Sequence, residues 1–169
     1  MALSATIASS ITATLTQDST LAVTTDVVAS GSSSFPTLTL TLTDGTGAAQ
    51  ADKWYRSYRT LGATTAENLD LSGSLLDPFG NTLAFTGIKS IAVAIVAPDG
   101  TKSVTIGAAT SNPFIGPFSA AGTLSVPYSV VLNNPNSAGW LVTAATADQF
   151  RVYNPGAASV IYCIWIVGI

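Results

Sequence analysis

The chain has 169 residues, with six basic and nine acidic side chains, no histidine and a net charge of −3. That length suits one domain with its own hydrophobic core. Charged residues make up 9% against about a quarter in an ordinary soluble chain, and the lack of histidine excludes Ser-His and Cys-His nucleophile pairs and imidazole zinc sites.

Residues 1–34 read as an N-terminal arm or a first strand pair. Ile7, Ile11 and Leu15 are spaced by four, as in a helix, but the Thr and Ser between them favour extended backbone. Gly31-Ser32-Ser33-Ser34 then makes a flexible joint. The opening MALSATIASS has no basic stretch and no continuous apolar run, so it does not read as a secretory signal.

Residues 35–169 read as a β-sandwich domain. Over residues 37–43, Leu38, Leu40 and Leu42 alternate with Thr, the pattern of a half-buried strand in which Asp at position 40 would prevent folding. Asp44-Gly45-Thr46-Gly47 supplies a turn. Residues 53–60 place Trp54, Arg56 and Tyr58 on one side and Tyr55, Ser57 and Arg59 on the other; with neither side cleanly apolar, a partner strand is expected along each edge. Leu69 and Leu71 follow, then a turn at Asp77-Pro78-Phe79-Gly80-Asn81.

Residues 88–96 are β-branched on both faces and predict a central strand. Pro98-Asp99-Gly100 is expected to close a hairpin, with residues 102–107 running back. A loop between Asn112-Pro113 and Gly116-Pro117 carries Phe114, Ile115 and Phe118. Leu124, Val126, Tyr128, Val130 and Leu132 predict one alternating strand interrupted at Pro127. Residues 149–153, a turn at Asn154-Pro155-Gly156 and a second two-faced apolar strand at 159–167 complete the chain. Short strands with turns about every ten residues predict an all-β fold, a two-sheet antiparallel sandwich, jelly-roll-like, with an extended N-terminal arm.

No reaction is legible, and the chain is expected not to be an enzyme. The paired carboxylates Glu67 with Asp70, or Asp70 with Asp77, are the only catalytic option, and both flank a turn where acids commonly accept backbone N–H groups. Asp44, Asp99 and Asp148 do not concentrate oxygens at the spacing of a calcium loop. No cofactor or metal is therefore expected. Lys53, Arg56 and Arg59 are too few for a polyanion surface, so no nucleic-acid partner is expected. The longest apolar stretch, residues 160–169, falls well short of the roughly 20 residues of a membrane-spanning helix. Cys163, the one cysteine, reads as a buried thiol.

The aromatic and arginine residues are the remaining signal. Trp54, Tyr55, Arg56 and Arg59, with Phe114 and Phe118, are candidate interface residues, because such side chains bury much area at modest entropic cost. Trp54 and Tyr58 read equally well as core. Trp54, Tyr55 or Phe114 would also suit stacking on sugars.

The runs from Gly45 to Lys53, Ala66 to Leu75 and Asp77 to Leu83, with Ile88-Lys89, Gly139-Trp140-Leu141-Val142-Thr143, Asp148 and Arg151-Val152-Tyr153-Asn154, resemble small virion structural proteins of tailed bacteriophages. The resemblance covers about residues 40–168. It implies a capsid cement or decoration protein, a homotrimer that binds the major capsid protein at the virion surface after synthesis in the host cytoplasm. A tail or baseplate component is the alternative of the same kind, and a glycan-binding host-attachment module is the alternative of a different kind. Scarce charge agrees with a surface covered by other subunits.

Overall fold

The computed structural model describes residues 3–8, 39–97, 100–119 and 122–169. The joint at residues 31–34, most of the N-terminal arm and the Pro98-Asp99 part of the expected hairpin turn lie outside the described residues.

The described chain is all strand and turn. In order, the strands are β1 (Ala5–Ala8), β2 (Thr39–Asp44), β3 (Gln50–Ala51), β4 (Lys53–Leu61), β5 (Ala66–Asp70), β6 (Leu75–Leu76), β7 (Thr82–Leu83), β8 (Gly87–Ile95), β9 (Val104–Ala108), β10 (Thr123–Val126), β11 (Ser129–Asn133), β12 (Trp140–Leu141), β13 (Gln149–Tyr153) and β14 (Val160–Gly168). Two antiparallel sheets carry the fold. Sheet I has the order β11-β8-β14-β4, with β12 also on β8, and sheet II has the order β10-β9-β13-β5.

The pairing is nested. β9 pairs with β10, β8 with β11, β5 with β13 and β4 with β14, each antiparallel. The eight main strands thus form one ribbon folded back on itself, with the first strand against the last. The two inner faces share one core. Ile91, Val93, Tyr162, Ile164 and Ile166 come from sheet I, and Leu69, Val104, Ile106, Phe150 and Val152 from sheet II. The central strands β8 and β14 are buried over almost their whole length, as their two-faced apolar sequences predict.

Two sequence expectations are corrected. β8 and β9 do not form a hairpin: they lie in different sheets, so the chain crosses the sandwich between residues 96 and 103. Residues 124–132 are two strands, since β10 pairs in sheet II and β11 in sheet I. Pro127 lies at the crossing, where its missing N–H costs no ladder bond. Among the described residues β14 lies along one edge of β4 and no strand lies along the other, so the partner expected there is not found among them.

A smaller sheet, β1-β2-β3, lies beside the sandwich. β1 and β2 are antiparallel, pairing Ala5 with Leu42 and Ile7 with Leu40. Their apolar side chains form a second cluster in which Leu42, Ala51 and Val167 are buried and Leu3, Ala5, Ile7, Leu40 and Trp54 pack against it. Leu40 is half-buried here, outside the sandwich core, so the alternation holds over residues 40–43 while its partner differs from the one expected.

Lys89 fastens this region. Its side chain is fully buried, and Nζ donates to the carbonyls of Gly47 (3.1 Å), Ser137 (2.7 Å) and Asn136. Three N–H donors meet three backbone acceptors, which satisfies an ammonium without a carboxylate. Ala49 N adds a bond to Pro135 O at 2.8 Å. The turn at 45–51 and the loop at 133–139 are thereby tied across the start of β8.

Candidate interaction surface

The two outer faces differ in chemistry. On sheet II the outward residues include Thr105, Arg151, Tyr153, Asn68, Thr123 and Ser125. On sheet I, Val131, Ala92, Trp165 and Arg56 form one cross-strand row, and Ser129, Ala94, Cys163 and Tyr58 form the next. Small Ala side chains in mid-sheet make this face flat. Tyr58 is 60% exposed, Ile161 45% and Val131 37%, so the face offers apolar and aromatic area to a partner. The β1–β2 cover lies at one end of it: residues 3–6 and Trp54, Trp165 and Val167 line a shallow groove.

Arg56 joins the aromatic residues of this face. Its Cζ lies 5.5 Å from the Trp165 ring centre and 5.3 Å from that of Tyr58, within cation–π range, and Nη2 donates to Tyr58 Oη at 3.1 Å. That bond raises the guanidinium's pKa above its ordinary value. Trp54 is half-buried in the second cluster. Tyr58 therefore belongs to the surface, and Trp54 to the seam between the small sheet and sheet I.

Tyr55 and Arg59 point the other way, into the sandwich. Arg59 Nε donates to Glu67 Oε2 at 2.6 Å, its Nη2 pairs with the same oxygen, and Nη1 donates to Tyr55 Oη at 3.2 Å. Tyr162, fully buried, donates its hydroxyl to Glu67 Oε1 at 2.8 Å. Glu67 reaches this position because it shares the inner face of sheet II with Val152, its cross-strand neighbour. Two strands of sheet I are thus latched to edge strand β5 of sheet II. The bonds that Arg59 donates to Glu67 raise its pKa, and burial, with the Glu67 carboxylate, raises that of Tyr162.

Phe114 and Phe118 do not stand out from their loop. Phe114 is fully buried and Phe118 packs on the core; their ring centres lie 6.4 and 6.1 Å from that of Phe150. Ile115, between them, is the exposed residue. The loop therefore caps its own sandwich, and Phe114 offers no ring to a neighbour or a sugar. Tyr55 is equally closed off, at 5% exposure.

The acidic residues among the described ones have structural partners. Asp77 Oδ2 accepts from the Asn81 side-chain amide at 3.0 Å and Oδ1 accepts the N–H groups of Phe79 and Asn81, both at 2.8 Å; these bonds hold the turn between β6 and β7 and, the Asn81 side chain foremost, lower the carboxyl pKa. Asp70 Oδ1 accepts from Ser72 N at 2.8 Å. Asp148 is buried, which by itself raises its pKa, but bonds from Ser72 Oγ, Ala145 N and Gln149 Nε2 outweigh burial and hold it below the ordinary value. Asp44 Oδ1 accepts from Leu3 N, and Asp99 lies outside the described residues. Among the described residues no three His, Cys, Asp or Glu side chains converge as metal ligands would. Cys163 is free and buried.

Trp165, Val131, Ala92 and Ala94 were not singled out from sequence. β8 and β14 are apolar on both faces, so no alternation separates Ala92, Ala94 and Trp165 from the inner side chains, and Val131 lies on the face of β11 opposite the alternating Val130 and Leu132. The motifs that carry the virion resemblance fall mainly in turns and core: Gly47 and Lys89 meet through the buried ammonium, and Asp77 to Asn81 is a self-capped turn. Comparison with known protein families, with characterised proteins and with solved structures finds no match to this chain. The class defined by the coordinates is an all-β, two-sheet antiparallel sandwich with a small strand-built cover on one outer face.

Proposed function

We infer that this chain is a structural protein of a tailed-phage particle, a capsid cement or decoration protein that acts through subunit contacts and not through chemistry. The observation that carries the reading is the contrast between the two outer faces: sheet II presents Thr105, Thr123, Ser125, Asn68 and Arg151 with one aromatic, Tyr153, while sheet I presents Val131, Ala92, Ala94, Trp165 and Tyr58 around the single charge of Arg56. A flat apolar face rimmed by few charges suits burial against another protein surface. We read the nested pairing of the eight main strands as a jelly roll, an architecture common among viral capsid domains. The major capsid protein is the proposed partner. Binding to the assembled lattice would stabilise it by mass action, because the protein meets intact lattice and not free capsid subunits.

Electron microscopy of the parent particle tests this reading. Density for the sandwich on the shell, with the outer face of sheet I against capsid subunits, is the expected result. Density on the tail or baseplate would replace it with the alternative structural role. The groove beside Trp54 and Trp165 favours one reading of another kind, a glycan-binding host-attachment module in which these rings stack on sugar. A glycan array with no binding by the intact protein removes it.

A further inference from the structure

We propose that β4 pairs with β4 of a second copy about a two-fold axis through Ser57, joining sheet I of the two chains into one continuous sheet. β4 is nine residues long, and among the described residues only β14 pairs with it. A long open edge of this kind is a template for another strand unless something blunts it. No proline or bulge interrupts β4, and its register with β14 is unbroken from Lys53 to Leu61.

The side chains of β4 are complementary to themselves. Directly opposed residues in an antiparallel pair lie on the same face, so an axis that keeps inner face beside inner face passes through a residue. Only an axis at Ser57 pairs all nine positions. It sets Arg56 opposite the second copy's Tyr58 on the outer face, Tyr55 opposite Arg59 on the inner face, Trp54 opposite Thr60 and Lys53 opposite Leu61. On the exposed outer face arginine meets tyrosine, the inner-face Tyr55 and Arg59 stay in their own chain's latch, and no like charges meet. Moving the axis one residue back, to Arg56, would oppose that arginine to itself and Lys53 to Arg59. In the Ser57 register Arg56, already against Trp165, would lie between that ring and the partner's Tyr58, a cation between two aromatic rings. The partner proposed is therefore a second copy of this chain. The contact is isologous and closes as a pair; the homotrimer that the virion resemblance implies is a different assembly, and the mass of the protein in solution decides between the two.

The mass of the full-length protein by light scattering or sedimentation equilibrium is the first test. A dimer, or an even-numbered assembly that dissociates to dimers, is expected; a protein that is strictly monomeric or trimeric up to its solubility limit overturns the proposal. Tyr58→Arg sets arginine against arginine twice per pair and is expected to weaken self-association about tenfold or more, while the thermal transition, observed by circular dichroism, stays cooperative because Tyr58 is exposed. The double variant Arg56→Tyr with Tyr58→Arg restores the opposition and is expected to restore the dimer. A dimer indifferent to Tyr58→Arg, or not rescued by the exchange, refutes the register. Should Tyr58→Arg not fold, Ser57→Cys decides: in the proposed pair the two introduced thiols face each other across the axis and oxidise to a covalent dimer. Thr60→Cys, whose two copies would sit about 20 Å apart, does not. Equal cross-linking of the two cysteine variants overturns the proposal as well.

Discussion

The latch formed by Tyr162, Glu67 and Arg59 should be worth a measurable share of the sandwich's stability, and Tyr162→Phe isolates one bond of it. The substitution removes a hydroxyl and leaves the ring, so the core around Ile95 and Ile164 keeps its shape. What is lost is one O–H···O bond of 2.8 Å to a carboxylate. Hydrogen bonds to charged groups contribute about 1.5–3 kcal/mol, and the Glu67 side chain keeps 20% of its exposure, so water recovers part of the loss. We expect about 1.5 kcal/mol, seen as a lower urea midpoint at unchanged slope. The variant has a second signature in alkali. Burial and Glu67 hold the Tyr162 pKa above its ordinary value of 10.0, so the folded state keeps a proton that the unfolded chain releases. The stability from this group is fully present below about pH 10 and is lost as pH rises, at about 1.4 kcal/mol per pH unit. Tyr162→Phe should remove that share of the alkaline slope. If the variant equals the parent at pH 7 within about 0.3 kcal/mol and keeps the same slope between pH 10 and 12, the latch contributes nothing and the reasoning fails.

Phe150→Ala should cost about 3–5 kcal/mol in chemical denaturation, since it empties the space between Phe114 and Phe118 in the core. Lys89→Met strips three part-buried carbonyls of their donor and should cost about 1–2 kcal/mol, since water can reach them, with faster amide exchange at Ala49, whose N–H reaches across to Pro135. Leu42→Asp should open the second cluster and leave the sandwich folded, because Leu42 packs with Ala51 and Val167 and not with the main core; complete unfolding of that variant would show that the small sheet is part of the cooperative unit. In acid, Asp77 and Asp148 both have lowered pKa values, so the stability they provide is present above pH 3.8 and is lost as pH falls through their folded values. Nuclear magnetic resonance in acid should show the amides of Phe79, Asn81 and Ala145 losing their shifts first.

Much of the scaffold was legible from local pattern. Strand periodicity depends on neighbours in the chain, so Leu42 between exposed threonines, the two-faced β8 and β14, and the Asp77 turn with its Gly at positive φ could all be read off. What failed was every step that asked where a strand goes after its turn. The hairpin expected at Pro98-Asp99-Gly100 has turn chemistry that fits either a return in the same sheet or a crossing to the other, and the crossing is what the shared core selects. Pro127 announced an interruption but not that the two halves serve different sheets.

The candidate surface divides in the same way. Trp54, Tyr55, Arg56, Arg59, Phe114 and Phe118 are residue types suited to an interface, and their types alone determined that choice. Burial sorted them: Tyr55 and Arg59 went to the latch and both phenylalanines to the core, while Arg56 stayed on the surface beside Tyr58 and Trp165. The sequence by itself determined strand content, turn positions and a surface poor in charge, because these depend on local backbone preference and on composition. Only the tertiary structure decided which sheet each strand joins, which face of β14 meets solvent and that the buried Lys89 has backbone partners more than 40 residues away. Those outcomes depend on closing one core between two sheets, and no local run of residues encodes that closure.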